Sequence, residues 1–111
     1  MSSAKKIVLC AAISLLGTGI ANAQGAKDNA AAKELANKSG CMACHDIGTK
    51  VIGPSFVQIA EKYRGQAGAQ GQLVKKIKEG GKGVWGRIPM PPHEQLKDAD
   101  AATMVSWILA Q

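Results

Sequence analysis

The 111-residue sequence predicts an all-α fold, and three observations support this class. Apolar side chains recur at the spacing of one helix face, most clearly in residues 56–63, at i, i+3, i+4 and i+7. They are Phe56, Ile59, Ala60 and Tyr63. No stretch alternates apolar and polar residues as a half-buried strand does. Glycines end the helical segments at short intervals, so we expect several short helices and no sheet.

The first predicted helix covers residues 30–39, a run of helix formers. Asp28 or Asn29 supplies its N-cap, and Gly40 stops it. The second predicted helix begins just after Pro54 and carries the apolar stripe described above. The chain between these two helices is the first candidate location for a functional site.

The third predicted helix covers about residues 70–79 and stops at Gly80, and the last begins at Asp98 or Asp100. Residues 80–96 between them form a loop by composition, because glycine and proline recur throughout that stretch. We expect something other than backbone hydrogen bonding to hold this loop, and a metal bond is the obvious candidate.

Residues 1–23 have the pattern of a cleaved secretory signal peptide. Lys5 and Lys6 precede an apolar core over residues 7–16, and a small-x-small cleavage site follows. The apolar core is shorter than the ~20 residues of a spanning helix, so we expect no membrane anchor. We expect a periplasmic protein with a single domain over residues 24–111.

The charge of the mature chain narrows the class of partner. Loss of Lys5 and Lys6 leaves 12 basic against 8 acidic side chains, a balance of +4, which indicates an acidic protein partner. The lysines are spread along the chain, with one Tyr and one Phe among them, so nucleic-acid binding is not expected.

Residues 41–45, Cys-Met-Ala-Cys-His, match the attachment pattern of a c-type haem. Cysteines three apart lie on roughly one face of a helical turn, so Cys41 and Cys44 can form thioethers with one porphyrin. His45 is then held at the iron as an axial ligand. A dithiol redox pair would require a strand and a βαβ context, which the flanks lack. A zinc site would need Cys41, Cys44, His45 and His93 as its four ligands, and it would be cramped because Cys44 and His45 are adjacent in the sequence.

Cys10 is removed with the signal peptide, which leaves two cysteines that are both assigned to one porphyrin, so no structural disulfide is expected. We also expect the protein to be a monomer.

The second axial position has four candidate ligands. Met42 lies inside the tether and should point away from the iron, and Met104 belongs to a helical apolar stripe as core filler. Met90 stands in Ile-Pro-Met-Pro-Pro, where flanking prolines can present its thioether from a rigid loop. His93 would instead give bis-histidine ligation with a lower reduction potential, or remain a solvated loop residue. We favour Met90.

Filling both axial positions favours electron transfer over catalysis, because no open position remains for a substrate or gas. The protein is therefore not expected to be an enzyme. Thioether ligation and an apolar pocket both raise the reduction potential. The alternative is a haem sensor or catalyst in which the methionine ligand is displaced.

Three segments together carry a family resemblance: residues 41–45, Val-Ile-Gly-Pro at 51–54, and Val-Trp-Gly-Arg-Ile-Pro-Met-Pro-Pro at 84–92. Over nearly all of residues 24–111 the chain resembles class I monohaem cytochromes c of the small bacterial c-551 type. The resemblance implies about five short helices around one covalently bound haem c, with the terminal helices crossing.

The resemblance also implies roles for individual residues. Cys41 and Cys44 carry the thioethers, and His45 and Met90 ligate the iron. The Pro54 carbonyl accepts a hydrogen bond from His45 Nδ1, which sets the imidazole orientation.

Two further residues match positions that hold a haem propionate in the family, Trp85 through its indole N–H and Lys76 through its ammonium group. Family members usually place an aromatic residue where this chain has Ala36. The crossing of the terminal helices is then either looser or filled by Trp107.

The function implied by the resemblance is that of a soluble periplasmic one-electron carrier. Its donor would be a membrane bc-type quinol-oxidising complex. Its acceptors would be a nitrite reductase of denitrification, a haem-copper oxidase or a cytochrome c peroxidase. Docking should be weak, through a small patch at the haem edge ringed by lysines.

Overall fold

The computed structural model describes residue 27 and residues 29–111, so the predicted signal peptide and Asp28 lie outside the described residues. The described chain contains four α-helices and one 3-10 helix. They are α1 (Ala30–Lys38), the 3-10 helix (Cys41–Ala43), α2 (Phe56–Tyr63), α3 (Ala69–Glu79) and α4 (Asp98–Leu109). The predicted all-α class is confirmed. None of the described helices is both long and apolar enough to cross a membrane.

The caps of α1 and α2 explain where these helices begin. Asn29 caps α1, because its side-chain oxygen accepts a hydrogen bond from the Ala32 amide at 3.0 Å. A capping box opens α2: Ser55 Oγ accepts from the Gln58 amide at 3.1 Å, and Gln58 Oε1 accepts from the Ser55 amide at 2.9 Å. This capping box is not among the features predicted from the sequence. It fixes the start of α2 directly behind Pro54.

The terminal helices α1 and α4 meet at a buried apolar cluster that contains Ala36 of α1, Phe56 of α2 and Trp107 of α4. The rings of Phe56 and Trp107 meet edge to face at 5.2 Å, and buried Ala36 packs in the same cluster. Trp107 Nε1 also donates to the Lys27 carbonyl at 2.9 Å. Trp107 of α4 therefore fills the crossing of the terminal helices beside Ala36.

A second apolar cluster joins α2, α3 and α4. Its buried members are Tyr63, Ala69, Leu73, Ile77, Ala101 and Val105. Beside this cluster, the half-buried ammonium group of Lys78 ties α3 to the start of α4. It lies 3.2 Å from Asp98 Oδ1 and donates to the Glu94 carbonyl at 3.1 Å and to the Leu96 carbonyl.

Backbone hydrogen bonds hold the base of the loop after α3. The expectation that something other than backbone hydrogen bonding holds this loop is therefore wrong for that part of it. The Gly81 amide donates to the Met90 carbonyl at 3.1 Å, and the Met90 amide donates back to Gly81 at 2.8 Å. Further along, the His93 amide donates to the Ile77 carbonyl at 3.0 Å. Gly80 makes the reversal possible, because its φ of 70° suits glycine and a Cβ there would collide with the Met90 carbonyl. Both ends of residues 81–93 are thus attached to α3.

Candidate functional site

One cavity of about 340 Å³ contains every residue that the sequence analysis placed at the functional site. Its walls come from residues 40–54, from α2 and α3, and from the loop after α3. The predicted site residues that line it are Cys41, Cys44, His45, Pro54, Lys76, Trp85 and Met90. Residues separated by almost half of the chain are therefore brought to a single site.

The His45 imidazole is fixed on three sides. Its Nδ1 donates to the Pro54 carbonyl at 2.6 Å, and its ring stacks on Phe56 with centroids 5.4 Å apart. Gly53 leaves room for the ring, because a Cβ at that position would lie 2.8 Å from His45 Cε1. With the proton on Nδ1, Nε2 keeps its lone pair for a metal. The arrangement is that of an imidazole prepared as an axial ligand.

A tight turn returns the chain from His45 toward Pro54. The Asp46 carboxylate accepts hydrogen bonds from the amides of Gly48 and Thr49, each at 3.1 Å. These bonds lower the pKa of Asp46, with the Thr49 amide as the larger cause. The Asp46 carboxylate therefore stays ionised, and able to accept these two hydrogen bonds, to a lower pH than a free aspartate.

The two cysteines lie on the 3-10 turn that follows α1, and both are partly buried thiols. The His45 amide donates to the Cys41 carbonyl at 3.0 Å, so the imidazole follows the thiols within one turn. Burial raises the pKa of the Cys41 thiol. A dithiol redox nucleophile requires a lowered pKa instead. Among the described residues, no three His, Cys, Asp or Glu side chains form a cluster that could hold a metal ion.

Met90 lies on the loop after α3 and lines the same cavity, with its backbone paired to Gly81. The Lys76 side chain lies across Gly81, so that a Cβ on this glycine would collide with the lysine ammonium group. Lys76 lines the cavity and makes no ion pair within the described part of the chain. It therefore offers a positive charge to an anionic group of a ligand in the cavity.

The other candidate axial ligands are placed differently from Met90. Met104 is buried in the core, with 1% of its surface exposed, and Met42 packs against the same cluster. His93 lines the cavity, but its Nδ1 is buried against protein and lacks a hydrogen-bond partner among the described residues. Of the three candidate methionines, Met90 is the one that lines this cavity.

Sequence reasoning missed two residues at this site. Gly53 was noted only within the Val-Ile-Gly-Pro segment at 51–54, although its missing side chain makes room for the imidazole. Lys62 was not singled out, although its ammonium group lies 5.7 Å from the ring centroid of Trp85. A glycine before the proline was a usable signal for the first. No sequence signal pointed to the second.

Comparisons with known proteins agree with this geometry. A family model described as "Cytochrome c" matches residues 29–111. The chain is 48% identical over 101 residues to the cytochrome c-551 of Pseudomonas aeruginosa, covering 91% of this chain and 95% of that protein. It is 43% identical over 106 residues to the cytochrome c-552 of Hydrogenobacter thermophilus, covering 96% and 97%. The crystal structure of wild-type Nitrosomonas europaea cytochrome c552 superposes with a TM-score of 0.67 at 49% identity, covering 69% of this chain and 95% of that chain.

The chain therefore belongs to the cytochrome c family. Within that family it is a class I monohaem cytochrome of the small c-551 type. Members of this group carry electrons rather than catalyse reactions, and their cofactor is one covalent haem c held through Cys-x-x-Cys-His. The donor set fits that group: two thiols, one oriented imidazole and one thioether line one cavity, whose Gly53 wall leaves space beside the imidazole.

The fit at Gly53 gives a first prediction. Gly53→Ala should push the His45 ring away from the Pro54 carbonyl and destabilise the haem protein by on the order of 1–3 kcal/mol, because the cavity wall becomes overpacked. Denaturant unfolding followed by haem absorbance measures this loss. Gly48→Ala is the matched control, because a Cβ at Gly48 has no atom within 4 Å. Equal stabilities of the two variants would contradict the assignment.

Proposed function

We propose that this chain is a diffusible periplasmic one-electron carrier in which His45 and Met90 are the axial ligands of a haem c attached to Cys41 and Cys44. The observation that carries the proposal is the meeting of all four side chains at one cavity, with His45 Nδ1 already bonded to Pro54 at 2.6 Å. The bound haem iron supplies a one-electron ferric–ferrous couple. The protein supplies the ligands, their orientation and an apolar enclosure.

The protein side of this function is mainly positional. Pro54 fixes the imidazole through a hydrogen bond that also increases its donor strength. Paired to Gly81, Met90 is presented from a pinned loop. The cavity walls are largely apolar, which disfavours the more charged ferric state. Lys76 and Trp85 line the same cavity and would hold the haem propionates.

The rim of the cavity supports docking to an acidic partner. Exposed apolar side chains surround the opening, with Ile88 at 70% exposure and Val84 at 52%. Basic residues stand among them, and no acidic side chain lines the cavity. The basic members are Lys50, Lys76, Lys82 and Arg87. A small apolar patch with a positive rim suits short encounters with a partner whose rim is acidic.

We further propose the compartment and the partners. Residues 1–23 would be removed on export, and residues 24–111 would form the mature domain in the periplasm. A membrane bc-type complex would supply electrons. A nitrite reductase of denitrification, a haem-copper oxidase or a cytochrome c peroxidase would accept them. The basic rim of the cavity supports such partners through charge complementarity.

The test uses purified, exported holoprotein. We expect a far-red sulfur-to-iron charge-transfer band in the ferric state, no carbon monoxide binding in the ferrous state, and association rates with periplasmic reductases that fall as salt is raised. Lys33→Gln, which removes a charge on α1 away from the cavity, serves as the control for Lys82→Gln at its rim. Prompt gas binding would favour the sensor or catalyst alternative. Rates that do not depend on salt would contradict the docking surface.

A further inference from the structure

One lysine on α2 has aromatic rings as its nearest recorded partners. Lys62 Nζ lies 5.7 Å from the ring centroid of Trp85 and 5.7 Å from that of Tyr63, within the range of cation–π attraction. No described acidic residue forms an ion pair with it. Both rings line the cavity, Tyr63 from α2 and Trp85 from the loop that carries Met90. The ammonium group therefore bridges a helix and the ligand loop.

We propose that Lys62 is a positioning residue that holds the Met90 loop closed through Trp85, and so limits how often Met90 leaves the iron. This inference rests on the proposed role of Met90. It assigns to Lys62 a function that neither its exposure on α2 nor its sequence context indicates.

The loop needs such a contact because its tip is held weakly. Backbone bonds pin the base through the Gly81 and Met90 pair, while the tip has one recorded backbone hydrogen bond, from the Gly83 amide to the Gly86 carbonyl at 3.0 Å. Between these points Val84 is 52% exposed and Trp85 is 39% exposed. Segments with few buried contacts open at low free-energy cost. The contact with Lys62 joins this tip to a rigid helix.

The size of the effect follows from the strength of one exposed cation–π contact. An external ligand reaches the iron only in the fraction of molecules whose loop is open, so its apparent affinity scales with that fraction. Loss of the contact should raise the open fraction, and hence the apparent affinity, by about two- to fivefold.

The experiment titrates the ferric holoprotein with imidazole and follows loss of the charge-transfer band. Lys62→Gln should bind imidazole about two- to fivefold more tightly than the unmodified protein. Lys62→Arg should restore the original affinity, because guanidinium also stacks on aromatic rings. Lys33→Gln removes the same charge from an exposed position on α1 and should leave the affinity unchanged. No change in Lys62→Gln would overturn the inference.

A double-mutant cycle separates positioning from simple charge removal. If Lys62 acts through Trp85, Lys62→Gln should have no effect in a Trp85→Leu background. The same fold-change in both backgrounds would overturn the inference.

Met90→Ala provides the reference for a fully open site. If it binds imidazole no better than the unmodified protein, the Met90 assignment and this inference both fail. If it binds better and Lys62→Gln does not, only the inference fails.

Discussion

Replacing Met90 with alanine is expected to leave the haem attached while lowering the reduction potential and opening the iron to external ligands. In the proposed site the covalent tether through Cys41 and Cys44 is untouched, and only the proposed bond from Met90 to the iron is removed. Because a thioether favours ferrous iron, its loss should lower the potential by on the order of 100 mV, part of the ~0.8 V range that axial ligands span. Redox titration and carbon monoxide binding by the ferrous form measure the two effects.

Met104→Leu is the matched control for this prediction. Met104 is buried in the core and does not line the larger cavity, and leucine has nearly the same volume. This variant should keep its charge-transfer band and its potential. An unchanged spectrum in Met90→Ala would require a different distal ligand, with His93 as the next candidate because it lines the same cavity.

Replacing both Cys41 and Cys44 with alanine is expected to give a colourless and poorly folded chain. The cavity walls are largely apolar, and without a tethered porphyrin that surface has nothing to pack against. The proposed mature chain is also near the lower size limit for domains that fold without a cofactor or a crosslink. We expect no Soret absorbance after acid–acetone extraction and a large loss of helical circular dichroism.

Met42→Leu tests whether this loss is specific to the attachment chemistry. Met42 lies between the two cysteines in sequence but packs toward the core rather than into the larger cavity. Its replacement should preserve colour and helix content. A red, stable double-cysteine variant would show that neither thiol is needed to retain the cofactor.

The helices were predictable because their ends are encoded locally. Predicted boundaries at Gly40, Gly80 and Asp98 agree closely with the ends and start of α1, α3 and α4. Capping residues and glycine punctuation act within a few positions, so a single sequence reveals them. The pairing of Gly81 with Met90 was not predictable in this way, because it depends on how the loop folds back onto α3.

The residues of the candidate site also divide into those that a local pattern predicts and those that it does not. Cys41, Cys44 and His45 follow from a five-residue pattern, and Met90 from its neighbouring prolines. Pro54, Lys76 and Trp85 were identified through the family resemblance. The contacts of Gly53 with His45 and of Lys62 with Trp85 join residues 8 and 23 positions apart, and they depend on three-dimensional placement that periodicity does not encode.

The attachment of residues 81–93 to α3 at both ends has a consequence for the speed of electron exchange. The amide and carbonyl of Met90 are both bonded to Gly81, so Met90 has little freedom to shift when the iron of the proposed site changes its oxidation state. The imidazole opposite is restrained in the same way by Pro54. If His45 and Met90 hold the iron as proposed, the ligand atoms move little between the ferric and ferrous states, the nuclear reorganisation energy is small, and a modest driving force is sufficient for rapid electron transfer.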